Sequence, residues 1–157
     1  AFTNSNVSSD IATGAFYASP FFYRIALVCP SELAGEYDFK TVGWCNKEST
    51  GKLSIVATGV TGEYDVTIGG NVDFSFGAYG VCYGPTSALP KGTLKLTDAC
   101  NKIGFKGASQ WGETYKIKNL TVSGKILTID WDNDYPPEAG VTTITRTDTK
   151  NWPALTK

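Results

Sequence analysis

The sequence predicts an all-β fold: one antiparallel β-sandwich or up-and-down barrel of about nine or ten short strands, with an extended N-terminal arm. Three observations lead there. Apolar and polar residues alternate with period two in one short segment after another. Turn signals separate the segments, among them Thr50-Gly51, Thr61-Gly62, Gly69-Gly70-Asn71, Gly84-Pro85, Pro90-Lys91-Gly92, Ser123-Gly124 and Pro136-Pro137. No segment sustains helical periodicity, although Ser31 to Gly35 has the length of a single turn.

The elements follow in order. Residues 1–28 form the expected arm, small and polar to Ser19, with Phe16 and Tyr17 as apolar points. Pro20 punctuates it. Phe21, Tyr23, Ile25 and Leu27 then alternate with Phe22, Arg24, Ala26 and Val28, so both faces of this strand are largely apolar, as in a covered strand. Residues 29–157 form the main domain. Tyr37 and Phe39 open its series, followed by Leu53, Ile55 and Ala57, then Tyr64, Val66 and Ile68. Phe74 and Phe76 alternate with Asp73 and Ser75 and predict a further strand. Leu94 and Leu96 flank Lys95, and Ile103 and Phe105 flank a glycine. Tyr115 and Ile117 lead into Leu120 and Val122. Leu127, Ile129 and Trp131 alternate with Thr128, Asp130 and Asp132, and Val141, Thr143 and Thr145 close the series. One apolar and one polar face per strand predicts an antiparallel sheet around one core.

Composition narrows the function. The 157 residues fit one domain. Lys and Arg number 14 against 15 Asp and Glu, a formal charge of -1, which leaves no basic excess for a phosphate backbone. No apolar run approaches the ~18 residues that a membrane-spanning helix needs. There is no His, which excludes Ser-His-Asp triads, Cys-His dyads and His metal sites. There is no Met either, so the chain is expected to be a processed product, with Ala1 following a removed signal peptide.

Cys29, Cys45, Cys82 and Cys100 contain no C-x-x-C pair, so thioredoxin-like and zinc-ribbon sites fail on spacing. An even count in an exported chain favours two disulfides. The sequential pairs, Cys29–Cys45 and Cys82–Cys100, are the expected ones. Each closes a loop of roughly 15–20 residues, worth about 3 kcal/mol in the chain-entropy model.

The acidic stretch Asp130, Asp132, Asp134 and Glu138 is a weak calcium candidate. It has the spacing of an oxygen-ligand loop, but Tyr135 stands where that loop needs glycine, and Pro136-Pro137 follow. Glu36, Glu63 and Glu113 read as carboxylates on solvated strand faces rather than as a glycosidase pair. Gly69-Gly70-Asn71 lacks the Lys and the helix of a phosphate loop. The sequons at Asn6 and Asn119 matter only in a eukaryotic secretory host. Trp44, Tyr79, Tyr83 and Trp111 are the ligand candidates, with Tyr135 and Trp152 as further aromatics. Their apolar faces and wet edges suit stacking on sugars. Trp131, in phase with Leu127 and Ile129, belongs to the core.

Four stretches occur in one order: CPSELAG from Cys29, YGVCYGP from Tyr79, LTDACNKIGFKG from Leu96, and WDNDY…GVTTITRTD…NWP from Trp131 to Pro153. Together they resemble a small β-domain of secreted and cell-surface proteins from Bacteroidota-type bacteria. The resemblance implies export, disulfides and a non-enzymatic role, and supplies no catalytic residues. The expectation is therefore a secreted or cell-surface structural or adhesive protein without catalysis or cofactor. It would form a pilus-like filament by exchanging the N-terminal strand between copies, with Phe16, Tyr17, Phe21, Tyr23, Ile25 and Leu27 as the donated contacts. Its partners would be other copies of itself and surface glycans, with no nucleic acid and no membrane span. The alternative is a carbohydrate- or ligand-binding β-module.

Overall fold

Period-two alternation becomes nine strands and one short helix in the computed structural model, which describes residues 29, 33–85 and 89–157. The expected arm and its contacts lie outside the described residues. The strands are β1 (Gly35–Gly43), β2 (Glu48–Ala57), β3 (Glu63–Ile68), β4 (Asn71–Val72), β5 (Lys95–Ala99), β6 (Lys102–Lys106), β7 (Tyr115–Ser123), β8 (Ile126–Asn133) and β9 (Ala139–Arg146). The helix, α1, spans Ala78–Tyr83. Every ladder is antiparallel, and the sheet runs β6-β5-β3-β2-β1-β9-β8-β7, with β4 added beside β3.

This sheet curls into a nearly closed barrel. Its two end strands, β6 and β7, meet without a ladder between them. At one end of the seam the Phe105 and Tyr115 rings meet edge to face, 5.7 Å apart. At the other end the C-terminal tail crosses it. Trp152 N donates to Gly124 O at 2.9 Å, and Ile103 N donates to Thr156 O at 2.7 Å in a parallel bridge with Lys102.

The core is the inner face of the barrel, with Leu53, Ile55, Val66, Leu96, Ile129 and Ile144 nearly or wholly buried. Trp131 lies at its centre, fully enclosed. Its Nε1 donates to Thr142 Oγ1 at 3.0 Å, and Thr142 Oγ1 lies 2.9 Å from Thr41 Oγ1, so the buried hydroxyls satisfy one another. Gly140 pairs with Trp131 across the β8–β9 ladder, and a Cβ there would stand 2.7 Å from Trp131 Cζ2.

The structure departs from the sequence reading in three places. Gly140, Thr142, Ile144 and Arg146 face inward on β9, and Val141 is 45% exposed, the reverse of the Val141–Thr143–Thr145 phase. The Trp131 indole sets this phase, because it needs a glycine opposite and a hydroxyl beside it. On β7 the apolar set runs as read, from Tyr115 and Ile117 to Leu120 and Val122, and a bulge between Ile117 and Asn119 makes the change of phase. The Phe74–Phe76 segment is not a strand. The Asp73 carboxylate accepts Ser75 N at 2.9 Å, Ser75 Oγ at 2.5 Å and Gly77 N at 3.0 Å, and this local bonding displaces a ladder. Gly77 sits at φ 82°, where a Cβ would strike Ser49 Oγ, and opens α1.

The third correction concerns the disulfides, which join Cys29 to Cys100 and Cys45 to Cys82. The sequential pairs fail because the curled sheet separates them. Cys45, in the β1–β2 turn, lies beside α1 and its Cys82, whereas Cys100, in the β5–β6 turn, meets the chain just before β1 at Cys29. Two disulfides fit an oxidising environment.

Arg146 ends β9 with its side chain buried between the Tyr37 ring (5.9 Å) and the Trp152 ring (5.2 Å), forked onto Asp148 at 2.9 and 2.7 Å. The hydrogen bonds from Arg146 hold the Asp148 carboxyl at about 2, below its ordinary 3.8. The ion pair therefore stabilises the fold above that ordinary value, and its contribution is lost as pH falls through about 2. Asp148→Asn should flatten the acid side of a plot of melting temperature against pH. Gly140→Ala should cost about 1–3 kcal/mol in urea unfolding, because the added methyl overpacks the Trp131 indole.

Candidate functional site

The four aromatic ligand candidates come together at one end of the barrel. Trp44 stands in the β1–β2 turn, Tyr79 and Tyr83 on α1, and Trp111 in the loop between β6 and β7. The Trp44 ring lies 5.4 Å from Tyr79 and 5.3 Å from Tyr83, and the two tyrosines lie 5.3 Å apart. Trp111 stacks on Tyr79, nearly parallel at 8° with centroids 5.9 Å apart. Tyr79 is buried, whereas Trp111 is 49% and Tyr83 50% exposed. The result is an aromatic rim on a buried tyrosine. Tyr135, in the β8–β9 loop, is also exposed, while Trp152 lies in the core against Tyr37 at 4.8 Å.

Local hydrogen bonds explain why these rings are fixed. Ser75 Oγ, held by Asp73, accepts from Tyr79 N at 3.1 Å and so sets the first turn of α1. The Cys45–Cys82 disulfide fastens the turn carrying Trp44 to the helix carrying Tyr79 and Tyr83. In the β6–β7 loop, Ser109 Oγ accepts from Trp111 N (3.2 Å) and Glu113 N (3.3 Å) and donates to Glu113 Oε2 (3.0 Å). Asp134 ties the β8–β9 loop to the start of β7 by accepting Thr114 N and Thr114 Oγ1, each at 3.0 Å.

Two carboxylates lie beneath the rim, and the sequence reading did not join them. Glu138 is buried. Its Oε2 accepts from the Tyr79 hydroxyl and from Asn133 Nδ2 (2.7 Å), and its Oε1 accepts from the Tyr83 hydroxyl (2.7 Å). Glu113 Oε2 lies 3.5 Å from the same Tyr79 hydroxyl. Partial burial pushes Glu113 above the ordinary carboxylate range, helped by the charges of Glu138 and Asp134 and opposed by the Ser109 and Tyr79 hydroxyls. Burial and the Glu138 carboxylate push Tyr83 up to about 12 and Tyr79 well above its ordinary value, so both phenols stay protonated and act as donors. The Tyr115 hydroxyl, buried beside Tyr79 and Asn133, is aligned for a hydrogen bond with neither.

The acidic stretch divides. Asp130 and Asp132 flank Trp131 on the outer side of β8, with Asp130 3.6 Å from Lys118, and Asp134 is engaged with Thr114. Among the described residues no group of three or more acidic, Cys or His side chains gathers as a metal site. Glu36 lies exposed on β1, and Glu63 pairs with Lys106. Glu138 was legible only as part of the acidic stretch. In the structure it shares the inward phase of Gly140, Thr142 and Ile144, which the sequence does not show.

Compared with protein-family models, curated proteins and solved structures, the chain shows no match.

Both disulfides close long loops, with sequence separations of 37 and 71, each worth about 4 kcal/mol in the chain-entropy model. Replacing Cys45 and Cys82 by Ser should lower unfolding free energy by roughly that amount. It should also weaken the fixed tryptophan fluorescence signature of the rim in the folded protein. Replacing Cys29 and Cys100 should cost similar stability and leave that signature intact.

Proposed function

We propose that the protein is an extracellular, non-catalytic glycan-binding β-module whose ligand stacks on Trp111 at the aromatic end of the barrel. The observation that carries this reading is the Trp111 ring itself: one face rests on buried Tyr79, and about half of its surface stays open to solvent. A side chain this large, fixed from behind, loses little freedom on binding and offers a flat apolar face to a sugar ring. Tyr83 and the free edge of Glu113 supply polar contacts beside it. The two disulfides support a secreted or cell-surface location.

Binding to an array of polysaccharides tests the proposal. Trp111→Ala should lose about 2 kcal/mol, or roughly thirtyfold in affinity, for whatever glycan binds. Silence of the folded wild-type protein across neutral, acidic and amino polysaccharides would count against a glycan ligand.

A second reading, the filament subunit, draws on the seam between β6 and β7, whose facing edges share no ladder. An unpaired edge is a template for strand addition from another copy. On this reading negative-stain images of the whole chain contain regular filaments, and removal of residues 1–20 leaves monomers. Monomers from the whole chain at high concentration would dismiss it.

A further inference from the structure

We infer that the glycan taken by the Trp111 surface carries free amino groups, so that the ligand class is an amino-sugar chain in preference to a neutral or an acidic one. This rests on the glycan reading above and adds a charge preference to it.

One carboxylate oxygen beside the platform lacks a donor. Glu113 Oε2 is occupied by Ser109, but Oε1 has no hydrogen-bond partner among the described residues, and the carboxylate is held two residues from Trp111 by the shared Ser109 turn. Glu138 and Asp134 add two more carboxylates to the same end of the barrel. Every group bonded to the three is neutral: Ser109, Tyr79, Tyr83, Asn133 and Thr114. Among the described residues no Lys or Arg bonds to them or stacks on the rim. The negative charge is thus solvated by dipoles and not compensated by a cation.

The second observation is independent of those carboxylates. Tyr115 is only 5% exposed, and its hydroxyl, beside Tyr79 and Asn133, makes no aligned hydrogen bond among the described residues, so the network around Tyr79 keeps an unspent polar group. An ammonium supplies donors only and matches the open acceptor at Glu113 Oε1. Its bond to a carboxylate is charge-assisted, and the open ring faces of Trp111 and Tyr83 attract cations as well. A uronate would bring a fourth carboxylate to the three already there, which costs affinity.

Isothermal titration of the whole chain slightly below neutrality, with four pentasaccharides as probes, tests this. They are oligomers of glucosamine, N-acetylglucosamine, glucose and galacturonate. The glucosamine oligomer should bind about tenfold tighter than the acetylated and glucose forms, the difference expected between a charge-assisted and a neutral hydrogen bond. The galacturonate oligomer should bind weakest, and the margins should shrink as salt is added. Glu113→Gln, which removes a charge that partial burial disfavours, should fold at least as well as wild type and erase the preference for glucosamine over glucose. Equal affinity for glucosamine and glucose oligomers, still abolished by Trp111→Ala, would overturn the charge preference and leave the glycan reading intact. A full glucosamine preference in Glu113→Gln would overturn the role of Glu113. Absence of binding to all four would overturn both readings.

Discussion

The Trp131 indole constrains the rest of the barrel. A side chain of that volume at the centre of a small barrel requires a strand opposite with no side chain and a partner for its N–H. Gly140 and Thr142 meet the two needs on consecutive inward positions of β9. Their placement fixes the register of β9 against β8, and a register error of one residue would turn Ile144 and Arg146 outward. The same indole packs against Phe76 at 6.1 Å and Tyr115 at 5.7 Å, so it supports both the turn that leads into α1 and the strand that borders the aromatic rim. The core and the candidate site therefore share a wall.

That wall explains how two buried acidic groups are accommodated at one end of the molecule. Asp73 and Glu138 are buried, and neither has a cation beside it in the bonds it makes. Asp73 is carried by two main-chain N–H groups and a serine hydroxyl, and Glu138 by two phenols and an amide. Burial still pushes Asp73 above its ordinary value against those hydrogen bonds, so the folded chain holds its proton more readily than the unfolded one. The contribution of that group is fullest in acid and declines as pH rises above its ordinary range, opposite in sign to the Arg146–Asp148 pair. The two ends of the barrel thus respond to acid in opposite directions.

Strands were legible where one face is apolar without interruption. Tyr37 and Phe39, Leu53 and Ile55, Tyr64 and Val66, and Leu127 to Trp131 all point inward as their alternation predicts. The phase of β9 was not legible, because its inward residues are a glycine, a threonine, an isoleucine and an arginine, chosen by what they meet across the core. Phe74 and Phe76 carry strand periodicity, yet the Asp73 side chain outcompetes a ladder for the local N–H groups, and both rings are buried from a turn instead. Disulfide pairing depends on which turns the curled sheet brings together, a property of topology and not of spacing. At the site, Trp44, Tyr79, Tyr83 and Trp111 were singled out by composition and turn context. Glu113 and Glu138 were not joined, since they meet only where the β6–β7 and β8–β9 loops converge.

The Cys29–Cys100 bond has a mechanical consequence. Cys100 and Asn101 form the β5–β6 turn, and Thr156 N donates to Asn101 O at 2.8 Å beside the Ile103–Thr156 bond. Tension applied between Cys29 and the C-terminal tail would cross from Cys29 through sulfur to Cys100, then from Asn101 to Thr156. That path bypasses the eight-strand circuit of the sheet. Load would fall first on the two hydrogen bonds at Thr156, and the aromatic end of the barrel, at the far side, would keep its geometry while the tail gave way.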